Sequence, residues 1–303
     1  MTPTRRRWLR FAAIAAVAVA LLLVLVLVAR WLRTLPEVAA FLASHPGTTE
    51  LPEGTPTGLP AWLGWQHFLN VFFLLLIIRT GWLVRTVRKP AAYWTPRRSG
   101  LLRPQGPPAR ISIDLWLHLC LDVLWLLNGV VFVVLVFASG HWVRIVPTSW
   151  EIVPNAVSTA IQYASLDWPT ESGWANYNSL QVLAYFATVF VAAPLAVISG
   201  VRMSPWWPRS TERLNRLYPI SVARRIHFPV MWYFMLFVVA HVTLVLATGA
   251  LRNLNHMYAA RNDDSWVGFG IFVISLVVLA AGWIFARPLF LRPIASIGGK
   301  VSR

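Results

Sequence analysis

The sequence predicts an all-α integral membrane protein of six transmembrane helices, with a four-helix bundle at its centre. Three observations carry this. The 303 residues are 57% hydrophobic and only 13% charged, with a mean hydropathy of +0.59, too little charge to cover a soluble surface. Runs of apolar residues recur, each long enough to cross a hydrocarbon core about 30 Å thick. Arg and Lys gather in alternate connections between those runs, the positive-inside pattern of multi-pass proteins.

The first run, residues 11–32, stands behind Arg5, Arg6 and Arg7. It opens like a signal peptide, but its apolar region is too long and no small-residue cleavage site closes it, so an uncleaved span is expected. Further spans are expected at 63–84, 112–138, 178–200, 226–250 and 265–286. The chain then divides into an N-terminal helix with an outer loop (1–62), a four-helix core (63–250), and a final helix with its tail (251–303). The connection from Arg85 to Arg110 is rich in Pro, Arg and Gly and is expected to be irregular. The connection from His141 to Tyr177 carries Trp142, Trp150, Trp168 and Trp174, and its stretch VPNAVSTAIQYASL is expected to form a short interfacial helix, either a lid or docking surface or part of an aromatic belt.

Charge sets the orientation. The N-terminus holds 4 Lys or Arg, residues 85–111 hold 7, residues 201–225 hold 6 and the tail after 286 holds 4. The segments 30–62, 139–177 and 251–264 hold only Arg30, Arg33, Arg144, Arg252 and Arg261, together with eight of the eleven acidic residues. Both termini are therefore expected in the cytoplasm of a bacterial cell, with the chain in its inner membrane. Topology accounts for the net charge of +16 without a nucleic-acid partner, although a basic inner face would attract anionic lipid. The one cysteine, Cys120, lies in an apolar run, and CxxC and CxxCH patterns are absent, which argues against covalent haem and protein-ligated iron–sulfur clusters.

Four histidines fall within spans. His67 opens the second in GWQHFLN, His118 lies early in the third in DLWLHLCLD, and His227 and His241 share the fifth. Fourteen residues of helix advance about 21 Å and leave two side chains only roughly 40° apart, so His227 and His241 lie on one face at two depths. The second span descends from outside and the third rises from inside. Each depth then holds two imidazoles from different helices: His67 with His241 in the outer half, His118 with His227 in the inner half. A lone intramembrane histidine is commonly a hydrogen-bonded core residue. Four that pair by depth, with none left over, point instead to two bis-histidine haems, because ligation uses a lone pair that hydrocarbon cannot satisfy. His45, His141 and His256 lie in or beside outer connections, where solvated or interfacial roles are the default; His141 and His256 are also candidates for a quinone or partner site.

Arg79, Arg224 and Arg225 lie toward the inner ends of their spans, where haem propionates would need cations, though Arg79 would equally snorkel. Asp114, His118 and Asp122 are spaced by four and share a helix face. Asp122 is deep enough to be costly if ionised; it is expected to orient a ligand imidazole, to move protons for a quinone, or to rest as a neutral acid bonded to a neighbour such as Asn70 or Asn128. Gly129 and Gly200 are positions where a porphyrin could approach backbone.

One His in a helix, one in the next, a helix with none, then two His fourteen apart in IHF…VAHVTL resembles the prokaryotic di-haem cytochrome b family, the membrane anchors of formate dehydrogenase, Ni,Fe-hydrogenase and thiosulfate reductase. The resemblance covers about 63–250 and implies the pairings His67 with His241 and His118 with His227. It departs in having one span before the core and one after it; the leading span turns the core over, so the docking side of a catalytic partner does not carry across. The whole sequence also resembles actinobacterial cytochrome b proteins that accompany a molybdopterin-dependent oxidoreductase. The expected function is electron transfer through two haems b between a quinone, menaquinone by expectation, and a partner redox enzyme. Two other readings remain: a transmembrane haem reductase with no quinone site, and a transporter using the histidines as metal ligands.

Overall fold

A computed structural model describes residues 3–97, 109–168, 173–208 and 210–303. In chain order the elements are α1 (Pro3–Leu32), α2 (Pro36–Ser44), α3 (Ala61–Thr86), β1 (Tyr93–Pro96), β2 (Ile111–Ser112), α4 (Ile113–Ala138), a 3₁₀ turn (His141–Arg144) and α5 (Ile152–Ala164). There follow α6 (Ser179–Phe186), a π-helical segment (Ala187–Ala192), α7 (Ala193–Met203), α8 (Glu212–Leu217), α9 (Ile220–Ala247) and α10 (Ala250–Leu254). A second π segment (Asn255–Ala259), α11 (Val267–Phe285), α12 (Pro288–Gly298) and β3 (Gly299–Ser302) complete it. Among the described residues six helices are long and apolar enough to cross a membrane: Arg5–Leu32, Ala61–Thr86, Ile113–Ala138, Ser179–Met203, Ile220–Ala247 and Val267–Phe285. The protein is an all-α, multi-pass membrane protein with one small sheet.

Two departures from expectation have local causes. The fifth span begins at Ile220, six residues before the expected 226, because Pro219 serves as the N-cap and a helix start tolerates Arg224 and Arg225 in its early turns. The connection after the second span is not wholly irregular: Tyr93–Pro96 is a strand, pairing antiparallel with Ile111–Ser112 on one side and Gly299–Ser302 on the other. Residues 98–108 of that connection lie outside the described residues.

The chain forms two compact units, Met1–Thr57 with His141–Phe186, and Gly58–Gly140 with Ala187–Arg303. In the first, α5 buries polar side chains beside apolar Ile152 and Ala156. Asn155, Ser158 and Thr159 are buried, while Val153 and Val157 of the opposite face are exposed. The inward polar side chains hold the loop at Gly47: Asn155 Oδ1 accepts from the Gly47 N–H at 2.9 Å and Thr159 Oγ1 donates to its carbonyl at 3.0 Å. A loop of unpaired peptide groups needs such partners when it is buried. Arg30 and Arg33 at the end of α1 donate to Ser165, just beyond α5, at 3.1 and 2.7 Å.

The second unit contains α3, α4, α7 and α9, with α3 packed on α4, α7 on α9, and α11 against α3. Its middle layer is apolar: Leu74, Ala192, Val230 and Phe234 are buried together, with Trp125 packed against them. At one end the sheet packs with α12 around Ala92, Ile113, Leu291 and Ala295, and Trp94 Nε1 donates to the Ala295 carbonyl at 2.9 Å. At the other end Asn255, fully buried, accepts from Gly268 N–H at 2.6 Å and donates to the Ser265 carbonyl at 2.6 Å, closing the turn between α10 and α11. Gly64 of α3 allows that turn to approach, since a Cβ there would stand 2.5 Å from the Met257 carbonyl oxygen.

Candidate functional site

The four span histidines belong to the second unit. α3 ends toward β1 and α4 begins beside β2, so His118 lies near the sheet end of the unit and His67 near the far end. α9 supplies a histidine to each, seven residues to either side of Phe234. The structure brings His67 together with His241, ring centres 6.2 Å apart and planes 53° from parallel. It brings His118 together with His227, ring centres 6.4 Å apart and planes at 75°. A metal–imidazole bond of about 2 Å, with the ring's own radius added on each side, puts the centres of two rings on one metal about 6 Å apart. Both pairs stand at that separation.

The sheet-end pair is held by hydrogen bonds. His118 Nδ1 lies 3.2 Å from the Ile77 carbonyl and 3.0 Å from Thr80 Oγ1. His227 Nδ1 lies 2.9 Å from Ser199 Oγ. With Nδ1 engaged, Nε2 is the nitrogen left to take a metal. Gly81 and Gly200 follow the two hydroxyl residues, and a Cβ on them would stand 3.1 Å and 3.6 Å from the Cε1 atoms of His118 and His227.

Aromatic rings flank the far-end pair. His241 stacks on Phe237, centres 5.6 Å apart and planes 6° from parallel. Tyr258 meets His67 edge-on at 6.0 Å and Phe272 at 5.5 Å. His67 Nδ1 is buried with no hydrogen-bond partner. Burial pushes the Tyr258 phenol above its ordinary range, and a hydrogen bond with Ser275 pulls it the other way.

Two nitrogens per site is the number that haem iron takes from a protein in an electron-transfer centre. Among the described residues no group of three or more His, Cys, Asp or Glu is placed to hold a bare metal ion. The residues present fit a haem: paired imidazoles at metal-bridging separation and, at the sheet end, Nδ1 engaged so that Nε2 can ligate, with glycines beside the His118 and His227 rings.

Comparison with known proteins yields a relative. Over 198 residues the chain is 25% identical to the Azospira oryzae protein named "Putative protein-methionine-sulfoxide reductase subunit YedZ1", covering 61% of this chain and 88% of the relative. No protein-family profile and no solved structure matches the chain.

The remaining sequence candidates are placed as follows. Asp122 reaches His118 from the next turn, its Oδ2 3.7 Å from Nε2 rather than at Nδ1; Asn70 accepts from Trp125 Nε1 at 2.6 Å and Asn128 donates to the Gln66 carbonyl at 3.4 Å. Asp114 is buried at the start of α4. Arg79 donates to the Ala286 carbonyl at 3.0 Å and lies 4.7 Å over the Trp283 ring, so it is tied to the last span. Arg224 and Arg225 are exposed on the first turns of α9. His256 is buried and bonded to Asn262 at 2.8 Å. His45 and His141 belong to the first unit. Gly129 has open space where a Cβ would go. Sequence reading missed Thr80, Ser199 and Gly81; the signal was a hydroxyl–glycine dipeptide in each of two spans.

Proposed function

We propose that this protein is a di-haem b-type cytochrome of the bacterial cell membrane. It would carry electrons between the quinone pool, with menaquinone the expected partner, and a redox enzyme, with both termini in the cytoplasm. The observation that carries this is the pairing of four imidazoles from α3, α4 and α9 at 6.2 and 6.4 Å, one pair toward each end of the bundle.

In this reading His67 and His241 hold one haem, and His118 and His227 the other. A haem held by two imidazoles would exchange single electrons rather than bind oxygen. The chain's part is to fix the rings, exclude water and keep the macrocycles within the bilayer. The packed layer of Leu74, Ala192, Val230 and Phe234 lies between the two pairs. The polar atoms beside it are paired with one another, Trp125 Nε1 with Asn70 Oδ1 and Tyr233 with Thr188, which supports a cytochrome over a cation permease, whose path would need polar groups open to the ion at that depth. Arg79 adjoins Thr80, the residue that touches His118, and Arg224 lies three residues from His227; these two and Arg225 are the proposed cations for haem carboxylates at the sheet end. The Azospira relative is named as a subunit of a protein-methionine-sulfoxide reductase, which supports a partner oxidoreductase, proposed to depend on molybdopterin.

The test is reduction by quinol. Purified protein in nanodiscs should show b-type α-bands that a menaquinol analogue reduces within the mixing time of a stopped-flow instrument. Bands that dithionite reduces but no quinol does would remove the quinone from the proposal.

A further inference from the structure

We infer that Thr80 and Ser199 are positioning residues that fix the tautomer of both sheet-end histidines, holding His118 and His227 as Nδ1–H imidazoles with the Nε2 lone pair reserved for iron. The inference rests on the haem-binding reading above.

A hydroxyl has one proton to give. Thr80 Oγ1 lies 2.8 Å from the Leu76 carbonyl and 3.0 Å from that of Ile77. Ser199 Oγ lies 2.6 Å from the Leu195 carbonyl and 3.2 Å from that of Ala196. Both residues are fully buried in apolar helices, at 1% and 0% exposure, so each hydroxyl spends its proton on its own helix and faces the imidazole as an acceptor. A carbonyl also can only accept. Ile77 O stands 3.2 Å from His118 Nδ1, and Ser199 Oγ, its proton turned to its own helix, stands 2.9 Å from His227 Nδ1. Each ring therefore meets an acceptor within hydrogen-bond distance at Nδ1, whereas the Asp122 carboxylate stands 3.7 Å from His118 Nε2, beyond that distance, so the proton belongs on Nδ1.

The two cradles are built alike: a carbonyl at position i−3, a hydroxyl at i, and a glycine at i+1, as Ile77–Thr80–Gly81 on α3 and Ala196–Ser199–Gly200 on α7. The glycine lets the ring lie against its helix, where a Cβ would stand 3.1 Å or 3.6 Å from Cε1. The far-end pair is not built this way at His67, whose Nδ1 is buried without a partner. Donating Nδ1–H to an acceptor makes the coordinating nitrogen more basic, and a more basic ligand favours ferric over ferrous iron, one of the protein's levers on haem potential. The cradles thus bias the sheet-end site toward the lower potential.

Potentiometric titration of the full-length, haem-loaded protein, followed at the α-bands, tests this. Thr80→Val keeps the shape and removes the acceptor; Ser199→Ala does the same; Thr80→Ser restores the hydroxyl. Both haems should remain, and one of the two titrating components should shift upward in T80V, shift further in T80V with S199A, and return in T80S, while the other stays in place. Loss of one haem in T80V with retention in T80S also fits a positioning role. Unmoved potentials with both haems bound, equal shifts of both components, or a T80S variant that behaves like T80V would each overturn the inference while leaving the di-haem reading intact. A wild-type protein that does not hold two haems overturns that reading first.

Discussion

The two ends of the bundle solve one problem by different means. At the sheet end, each imidazole is aimed by directional bonds to a neighbouring helix: His118 to Ile77 and Thr80, His227 to Ser199. At the far end, Phe237 stacks on His241 and Tyr258 meets His67 edge-on, and the His67 ring is set by such packing, its Nδ1 having no hydrogen-bond partner. Directional bonds fix both the ring plane and the proton; packing fixes the plane alone. The far end accepts a buried, unpaired nitrogen at His67, at a cost of about 1–3 kcal/mol. One helix, α9, thus presents two identical side chains to two different surroundings, Ser199 beside His227 and Phe237 beside His241.

The largest effects should come from the histidines themselves. His118→Ala or His227→Ala should leave one haem per chain, as should His67→Ala or His241→Ala, with a different α-band surviving in each set, measured by pyridine haemochrome and redox difference spectra. Loss of both haems from a single variant would mean the two ends do not fold independently around their cofactors. Glycine substitutions should separate the ends further. Gly81→Ala forces the His118 ring to give way, since the new Cβ would stand 3.1 Å from Cε1, whereas Gly200→Ala meets ordinary contact at 3.6 Å. G81A should weaken sheet-end haem retention by about tenfold or more, as loss of supporting contacts at metal sites does, and G200A should change it little; a haem-transfer assay to apomyoglobin reads both.

Asp122, 3.7 Å from His118 Nε2, gives the next effect. Asp122→Asn should keep both haems and slow quinol oxidation, by about tenfold or more if the carboxyl moves protons; unchanged turnover would discard that role. The smallest effect is expected at the ring-packed end. Tyr258→Leu removes the edge contact on His67 and should lower stability by about 1 kcal/mol, seen as a lower melting temperature with both α-bands retained. A larger loss there than in G81A would reverse the comparison, making packing rather than hydrogen bonding the stronger support.

How much of this the sequence carried depends on how local the cause is. Apolar runs marked the six spans because a bilayer demands them residue by residue. They failed at Ile220, where the helix continues through Arg224 and Arg225 into a polar turn that no hydropathy criterion detects. Strand Tyr93–Pro96 was hidden because its partner Gly299–Ser302 lies some two hundred residues away, and short strands are set by their neighbours more than by their own composition. Helix α5 was legible as a helix, but not that Asn155 and Thr159 face inward, since the loop they hold at Gly47 is remote in sequence. At the site, His67, His118, His227 and His241 were readable by type and spacing. Thr80 and Ser199 were not, because a hydroxyl within a span ordinarily bonds its own helix and nothing else.

The most direct test of the central claim is the haem content of the purified full-length protein after expression with ample haem supply, joined to low-temperature electron paramagnetic resonance. The account predicts two haems b per chain, both low-spin with two imidazole ligands. A colourless protein, a single haem per chain, or a high-spin signal would contradict it.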